Sequence, residues 1–339
     1  MQTATRRIGL SLAAGAIGLA ATAGFASVNS HSSATPPMST LGKFSGVKTH
    51  YTRSGGSTTN NLTFHGGSVE ITPTVYIDYW GSWWNGGTTT GTQNSNSYGP
   101  TTTMTYNSAL FTQVGGTSWS NINSQYCQGV ASGTINCGTS GTHITNPAGQ
   151  LASTSTWIDT STSPGSSPTQ SQIAAEAVVA AKHFGLTGAQ AATTTIFVYT
   201  GSKQSMSGFA AAGTNGTWCA WHSTTSYAPA TGSSTTLPYA YMPYMPDAGG
   251  SCGMNFINSS SSANSFGNGY FDGFSIVGGH EYAEAVTDPF LSNWYDSRGS
   301  ETGDKCAWSS SSKNQQFATN TFAMQPLWSN ATSGCVNSY

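Results

Sequence analysis

The spacing of apolar and polar positions marks out a small set of strands and helices. Over residues 69–80, Val75, Ile77 and Tyr79 alternate with Thr74, Tyr76 and Asp78, the two-residue period of a strand. Pro73 places its start at an edge or bend. Residues 194–200 carry the unbroken run Ile196-Phe197-Val198-Tyr199 of a buried strand, and 237–242 read as another. Over 169–184, Ile173, Ala177, Val178, Ala181 and Phe184 recur at helical spacing. Ser167 is expected as the N-cap, Pro168 in the first turn and Gly185 at the stop. A second helix is expected from Asp272 to Thr287, ended by Asp288-Pro289, since a residue before proline avoids the helical region. Weaker patterning predicts a short helix over 101–113, short strands and turns over 115–159, and a Gly/Ser/Asn-rich loop over 248–268.

The longest apolar run, Ile8 to Ala23, follows Arg6-Arg7 and ends in small residues, which is the pattern of an export signal over 1–26. It is too short and too rich in Gly and Ala for a good membrane anchor, and no later segment is apolar enough to span a bilayer. Residues 27–65 are polar, with Pro36-Pro37 and Ser54-Gly55-Gly56-Ser57, and read as a propeptide or flexible arm. One catalytic-type domain is expected over 66–339. Six cysteines, all beyond the leader, point to disulfides in an exported chain, and neighbours are expected to pair: Cys127 with Cys137, Cys219 with Cys252, Cys306 with Cys335.

Charged residues make up only 6% of the chain. Removal of the leader takes Arg6 and Arg7 away and moves the net charge from −2 to −4. No basic patch exists to neutralise phosphates, so a nucleic-acid partner is not expected. Against this sparing use of charge, seven of the twelve acidic residues (Asp272, Glu281, Glu284, Asp288, Asp296, Glu301 and Asp304) crowd one region. There His280 and Glu284 stand four residues apart on the expected helix, on one face, with Glu281 beside them.

That is the spacing of a metal-binding helix with an adjacent base, in the form H-E-x-x-E. A catalytic zinc needs three protein ligands and an open position. His280 and Glu284 supply two; Asp304 is the first choice for the third, then Glu301, with Asp296 behind. Glu281 is placed to take a proton from water. Gly278-Gly279, costly in a helix, are expected to let something approach closely. A calcium site from Asp288, Asp296, Glu301 and Asp304 is the hard-cation alternative.

The segment His280-Glu281-Tyr282-Ala283-Glu284-Ala285-Val286-Thr287-Asp288-Pro289, with Asn293-Trp294-Tyr295 and Glu301-Thr302-Gly303-Asp304-Lys305-Cys306, resembles the C-terminal part of the EXORDIUM-like (phosphate-induced protein 1) family and its bacterial relatives. Thr74-Val75-Tyr76-Ile77-Asp78-Tyr79-Trp80-Gly81, Thr195-Ile196-Phe197-Val198-Tyr199-Thr200, Cys219-Ala220-Trp221-His222 and Leu237-Pro238-Tyr239-Ala240-Tyr241 extend the likeness in order. The resemblance implies secretion and, from plant members, a cell-wall setting; it implies no settled reaction. Plant members can lack the histidine that stands here at 280.

His222 is a further candidate as metal ligand or transition-state donor, because the helix offers one imidazole only. His65, His143 and His183 read as ordinary histidines, and Gly249-Gly250-Ser251-Cys252-Gly253 as a chance match to the serine-hydrolase pattern. Trp80, Trp83 and Trp84 could stack on sugars or form an aromatic cluster, and Tyr282 or Tyr295 could face an oxyanion. The expected fold is α+β: a zincin-like mixed sheet with a backing helix and a metal-binding helix, stabilised by disulfides. The expected function is that of a secreted zinc peptidase acting on proteins or peptides; the alternative is a non-catalytic secreted protein that associates with cell-wall glycan.

Overall fold

The computed structural model describes residues 60–339 apart from 88–89, 94–95, 261–264 and 267. The expected leader and most of the expected arm lie outside the described residues. The arm's last residues belong to the fold: Thr63–Phe64 pairs antiparallel with Trp294–Tyr295, and Leu62 and Phe64 are buried.

A five-stranded mixed sheet forms the centre, in the order Thr156–Asp159, Val75–Trp80, Thr195–Thr200, Thr235–Met242, Trp221–Tyr227. The first four run parallel; Trp221–Tyr227 closes one edge antiparallel to Thr235–Met242. The first strand is shorter than its alternation predicts. Residues 69–74 turn away from the sheet, and the Glu70 N–H bonds instead to Val286 O at 3.0 Å. Trp221–Tyr227 was not foreseen, because Ser223 to Ser226 interrupt its apolar positions and only its first half is fully covered.

Helix Gln170–His183 backs one face of the sheet, with Tyr227 Oη donating to Leu186 O at 2.6 Å just beyond its end. Its N-cap is Thr169, two residues later than expected: Thr169 Oγ1 accepts the Gln172 N–H while Gln172 Oε1 accepts the Thr169 N–H. This reciprocal capping box satisfies two orphan donors, which Ser167 could not reach. Glu176 on this helix is buried with Asp78 and Asp159 of the neighbouring strands. Burial, then the charge of Asp78, pushes Glu176 up to about 10, so it keeps a proton to share.

Helices Pro100–Val114 and Asp272–Thr287 cover the opposite face, with Phe111 against Phe197 and Phe274 against Tyr199. All sixteen residues of Asp272–Thr287 are buried. Burying Phe274, Ile276, Val277 and Val286 contributes roughly 1.5–3 kcal/mol each, which anchors the polar groups they carry with them. What approaches Gly279 is Met324 and Trp119: a Cβ there would lie 2.5 Å from Met324 Cε and 3.2 Å from Trp119 Cη2. The glycine pair therefore admits core side chains, and Gly278 makes only ordinary contacts.

All three neighbour disulfides form: Cys127–Cys137, Cys219–Cys252 and Cys306–Cys335. Residues 248–268 are partly a 3-10 turn, Met245–Cys252, so Gly249 to Gly253 make no strand-to-helix elbow. No helix among the described residues is long and apolar enough to cross a membrane.

Candidate metal centre

His280, Glu281 and Glu284 leave the middle of a helix that has no solvent-facing side, so their heads point into the protein. His280 Nε2 lies 2.9 Å from Glu284 Oε1 and 3.6 Å from Asp304 Oδ1. These three donor sets lie within 4.8 Å of one another. A second group of three is built from the same glutamate with His222 and Glu301. His222 arrives from the edge strand, its Nδ1 3.3 Å from Glu281 Oε2 and 3.7 Å from Glu284 Oε2, its Nε2 3.6 Å from Glu301 Oε1.

Five buried atoms here have no hydrogen-bond partner: His222 Nε2, His280 Nε2, Glu284 Oε2, Glu301 Oε1 and Asp304 Oδ1. A buried polar atom left unsatisfied costs about 1–3 kcal/mol, and more when charged. Their convergence fits a metal ligand set, because a cation satisfies lone pairs that no donor reaches.

The surroundings fix these atoms. Gln325 holds His280 from behind: its Oε1 takes Nδ1 at 3.2 Å while its Nε2 donates to Gly303 O at 2.9 Å. With Nδ1–H donating to the amide, the Nε2 lone pair faces the glutamate. Trp119 Nε1 in turn donates to Gln325 O at 2.8 Å. The Asp304 N–H donates to Glu284 Oε1 at 2.9 Å. Gly303 makes this approach possible, since a Cβ there would fall 2.8 Å from His280 Cγ and 3.0 Å from Glu284 Oε1.

Titration reflects the crowding. Burial, then the charge of Asp304, pushes Glu284 up to about 7, and burial with Glu284 and Asp288 holds Glu301 well above the carboxylate range. Burial alone would lower both imidazoles, yet Glu284 and Asp304 raise His280 well above its ordinary value, and Glu281 and Glu284 raise His222. The cluster is a place that draws positive charge.

Of the residues singled out from sequence, His280, Glu281, Glu284, Glu301, Asp304 and His222 come together. Asp296 does not, and Asp288, close enough for its charge to act on Glu301 and His222, gives an oxygen to backbone donors instead. Asp296 pairs with Lys305 Nζ at 2.9 Å and takes the N–H groups of Arg298 and Ser300; Asp288 Oδ1 accepts the N–H groups of Ser292 and Asn293 in the turn that follows the helix. The four-carboxylate calcium set is thus split by backbone and lysine partners. Tyr282 Oη donates to Gln150, and Tyr295 stacks on His65, so neither faces the centre. Trp80 and Trp84 are buried, and half-buried Trp83 packs on Trp84 and Tyr244, making an aromatic cluster. Gln325 and Gly303 had no sequence signal: a lone glutamine and a lone glycine acquire their roles only through contacts distant in sequence.

No family model, curated protein or solved structure matches the chain.

Proposed function

We propose that this chain is a secreted zinc-dependent peptidase of zincin-like architecture, related to the EXORDIUM-like proteins. The observation that carries the reading is the set of buried, unpartnered donor atoms around Glu284. His280, Glu284 and Asp304 would hold the zinc, and the imidazole favours zinc over calcium, which takes oxygen ligands. A zinc ion bound there supplies Lewis acidity, polarising a peptide carbonyl and making water a better nucleophile. Glu281, next along the helix from the ligand His280, takes the proton from the attacking water and returns it to the leaving amine. Gln325 keeps His280 in the tautomer that presents Nε2. Asp304, the one group of the set that is not fully buried, marks the side from which substrate reaches the centre. The export signal expected over 1–26 and the three disulfides both support an oxidising compartment.

Zinc content and peptidase activity of the purified chain test the reading together. Bound zinc, and cleavage of an unfolded protein substrate that a chelator abolishes and zinc restores, are expected. A metal-free chain that binds cell-wall glycan unaffected by His280→Ala would replace it with the non-catalytic reading. Gln325→Ala is expected to weaken zinc roughly 10- to 100-fold in competition with a chromophoric chelator, the usual cost of losing the partner of a ligating imidazole. Unchanged affinity would reject the orienting role.

A further inference from the structure

We propose that the centre holds two metal ions, bridged by Glu284. The inference rests on the metal reading of this site and adds a second ion on His222, Glu284 and Glu301. The two oxygens of Glu284 serve different partners: Oε1 lies 2.9 Å from His280 Nε2, while Oε2 lies 3.7 Å from His222 Nδ1. The donors fall into two groups that share this one side chain, each with one imidazole and one further carboxylate. Ligands of a single zinc, at about 2.0–2.2 Å from it, stand no more than about 4.4 Å apart. One ion on His280 and Asp304 leaves His222 Nε2 and Glu301 Oε1, both buried, without partners.

The two halves are built alike. Each imidazole is held at Nδ1, His280 by Gln325 and His222 by Glu281 with Glu284 Oε2 alongside, and each turns Nε2 towards a carboxylate, Glu284 for His280 and Glu301 for His222. Holding one nitrogen to orient the other is how ligating histidines are set. Charge points the same way. Glu284, Glu301 and Asp304 each face an imidazole, His222 or His280. The four carboxylates Glu281, Glu284, Glu301 and Asp304 outweigh one divalent ion by two charges, and that excess would sit in a site nearly closed to water. A second divalent ion removes that imbalance. His222 also explains the edge strand: its pairing with Thr235–Met242 sets His222 opposite Ala240, on the face that meets the Asp272–Thr287 helix.

Metal stoichiometry tests this without reference to activity. The purified chain is loaded with zinc, desalted and analysed for metal. Two zinc ions per chain are expected in the parent and one in His222→Ala, in Glu301→Gln and in Asp304→Ala. One ion in the parent, unchanged in His222→Ala and Glu301→Gln, overturns the bridged pair and leaves the single-zinc reading standing; no ion in the parent overturns both. Because a variant could misfold, the parent is also loaded with manganese alone. A spin-coupled pair in its paramagnetic resonance spectrum supports the bridge, and only isolated-ion signals overturn it.

Discussion

A Glu281→Gln chain is expected to hydrolyse peptides roughly 100- to 10,000-fold more slowly than the parent while keeping its metal, the range that removal of a general base costs. Glutamine matches glutamate in size and still offers an amide oxygen to His222 Nδ1, where Glu281 Oε2 now stands at 3.3 Å. It cannot accept a proton. Packing around the fully buried side chain is preserved, so the loss should fall on kcat, with KM and metal content little changed. Steady-state kinetics paired with metal analysis reads both. A variant that keeps full activity would remove Glu281 from the mechanism; one that loses metal as well would make it a ligand or support instead of a base.

Thermal stability is expected to fall as pH rises from about 5 to 9 and to be greatest in mild acid. Every one of the twelve acidic side chains is buried or half-buried, so acid protonates no fully exposed carboxylate. The groups away from the metal centre set the slope. Burial, then the charge of Asp78, raises Glu176 from 4.5 to about 10; burial keeps Asp78 well above 3.8 despite its hydrogen bond with Glu176; and burial raises Asp272 from 3.8 to about 7 against the bonds from Asn258 and Ile257. A carboxyl raised in the folded state contributes stability that is whole below its unfolded value and lost as pH climbs through its folded one. Each such proton is worth about 1.4 kcal/mol per pH unit inside that window. Asp159 and Asp296 work in reverse: against burial, Glu176 and Ser161 lower the first and Lys305 the second, and their contribution goes as pH drops below the ordinary carboxylate range. Melting curves of the chain kept metal-free with a chelator check this, since bound zinc would add its own pH dependence, and Glu176→Gln should flatten them. A melting temperature that climbs between pH 5 and 9 would refute the account.

The elements with strong local periodicity were legible from sequence: the Asp272–Thr287 helix, the backing helix and the strand Thr195–Thr200. The cysteine pairs were legible too, because near neighbours in a chain are near in space. The helix spacing of His280 and Glu284 gave half of the centre. The other half depends on register between distant segments. His222 was a candidate only because the helix offers one imidazole, and its partners depend on an edge strand with little apolar alternation; Gln325 bonds residues far from it in sequence, which no spacing announces. The glycine pair misled in one respect, since steric room on a helix does not say what fills it.

Two of the three cross-links straddle the centre. Cys219 lies three residues before His222 and is tied to Cys252, ahead of the Asp272–Thr287 helix; Cys306 lies two residues after Asp304 and is tied to Cys335. The segments that carry His222 and Asp304 are therefore each tied to a second segment by a bond that survives only in an oxidising environment. Mild thiol treatment should lower zinc affinity before it unfolds the chain, and measuring zinc release against loss of near-ultraviolet dichroism would separate the two events. On the proposed reading of a secreted zinc peptidase, the cross-links would act as a gate on when the centre assembles: a copy still reduced inside the cell would hold its metal poorly and leave the proteins around it uncut.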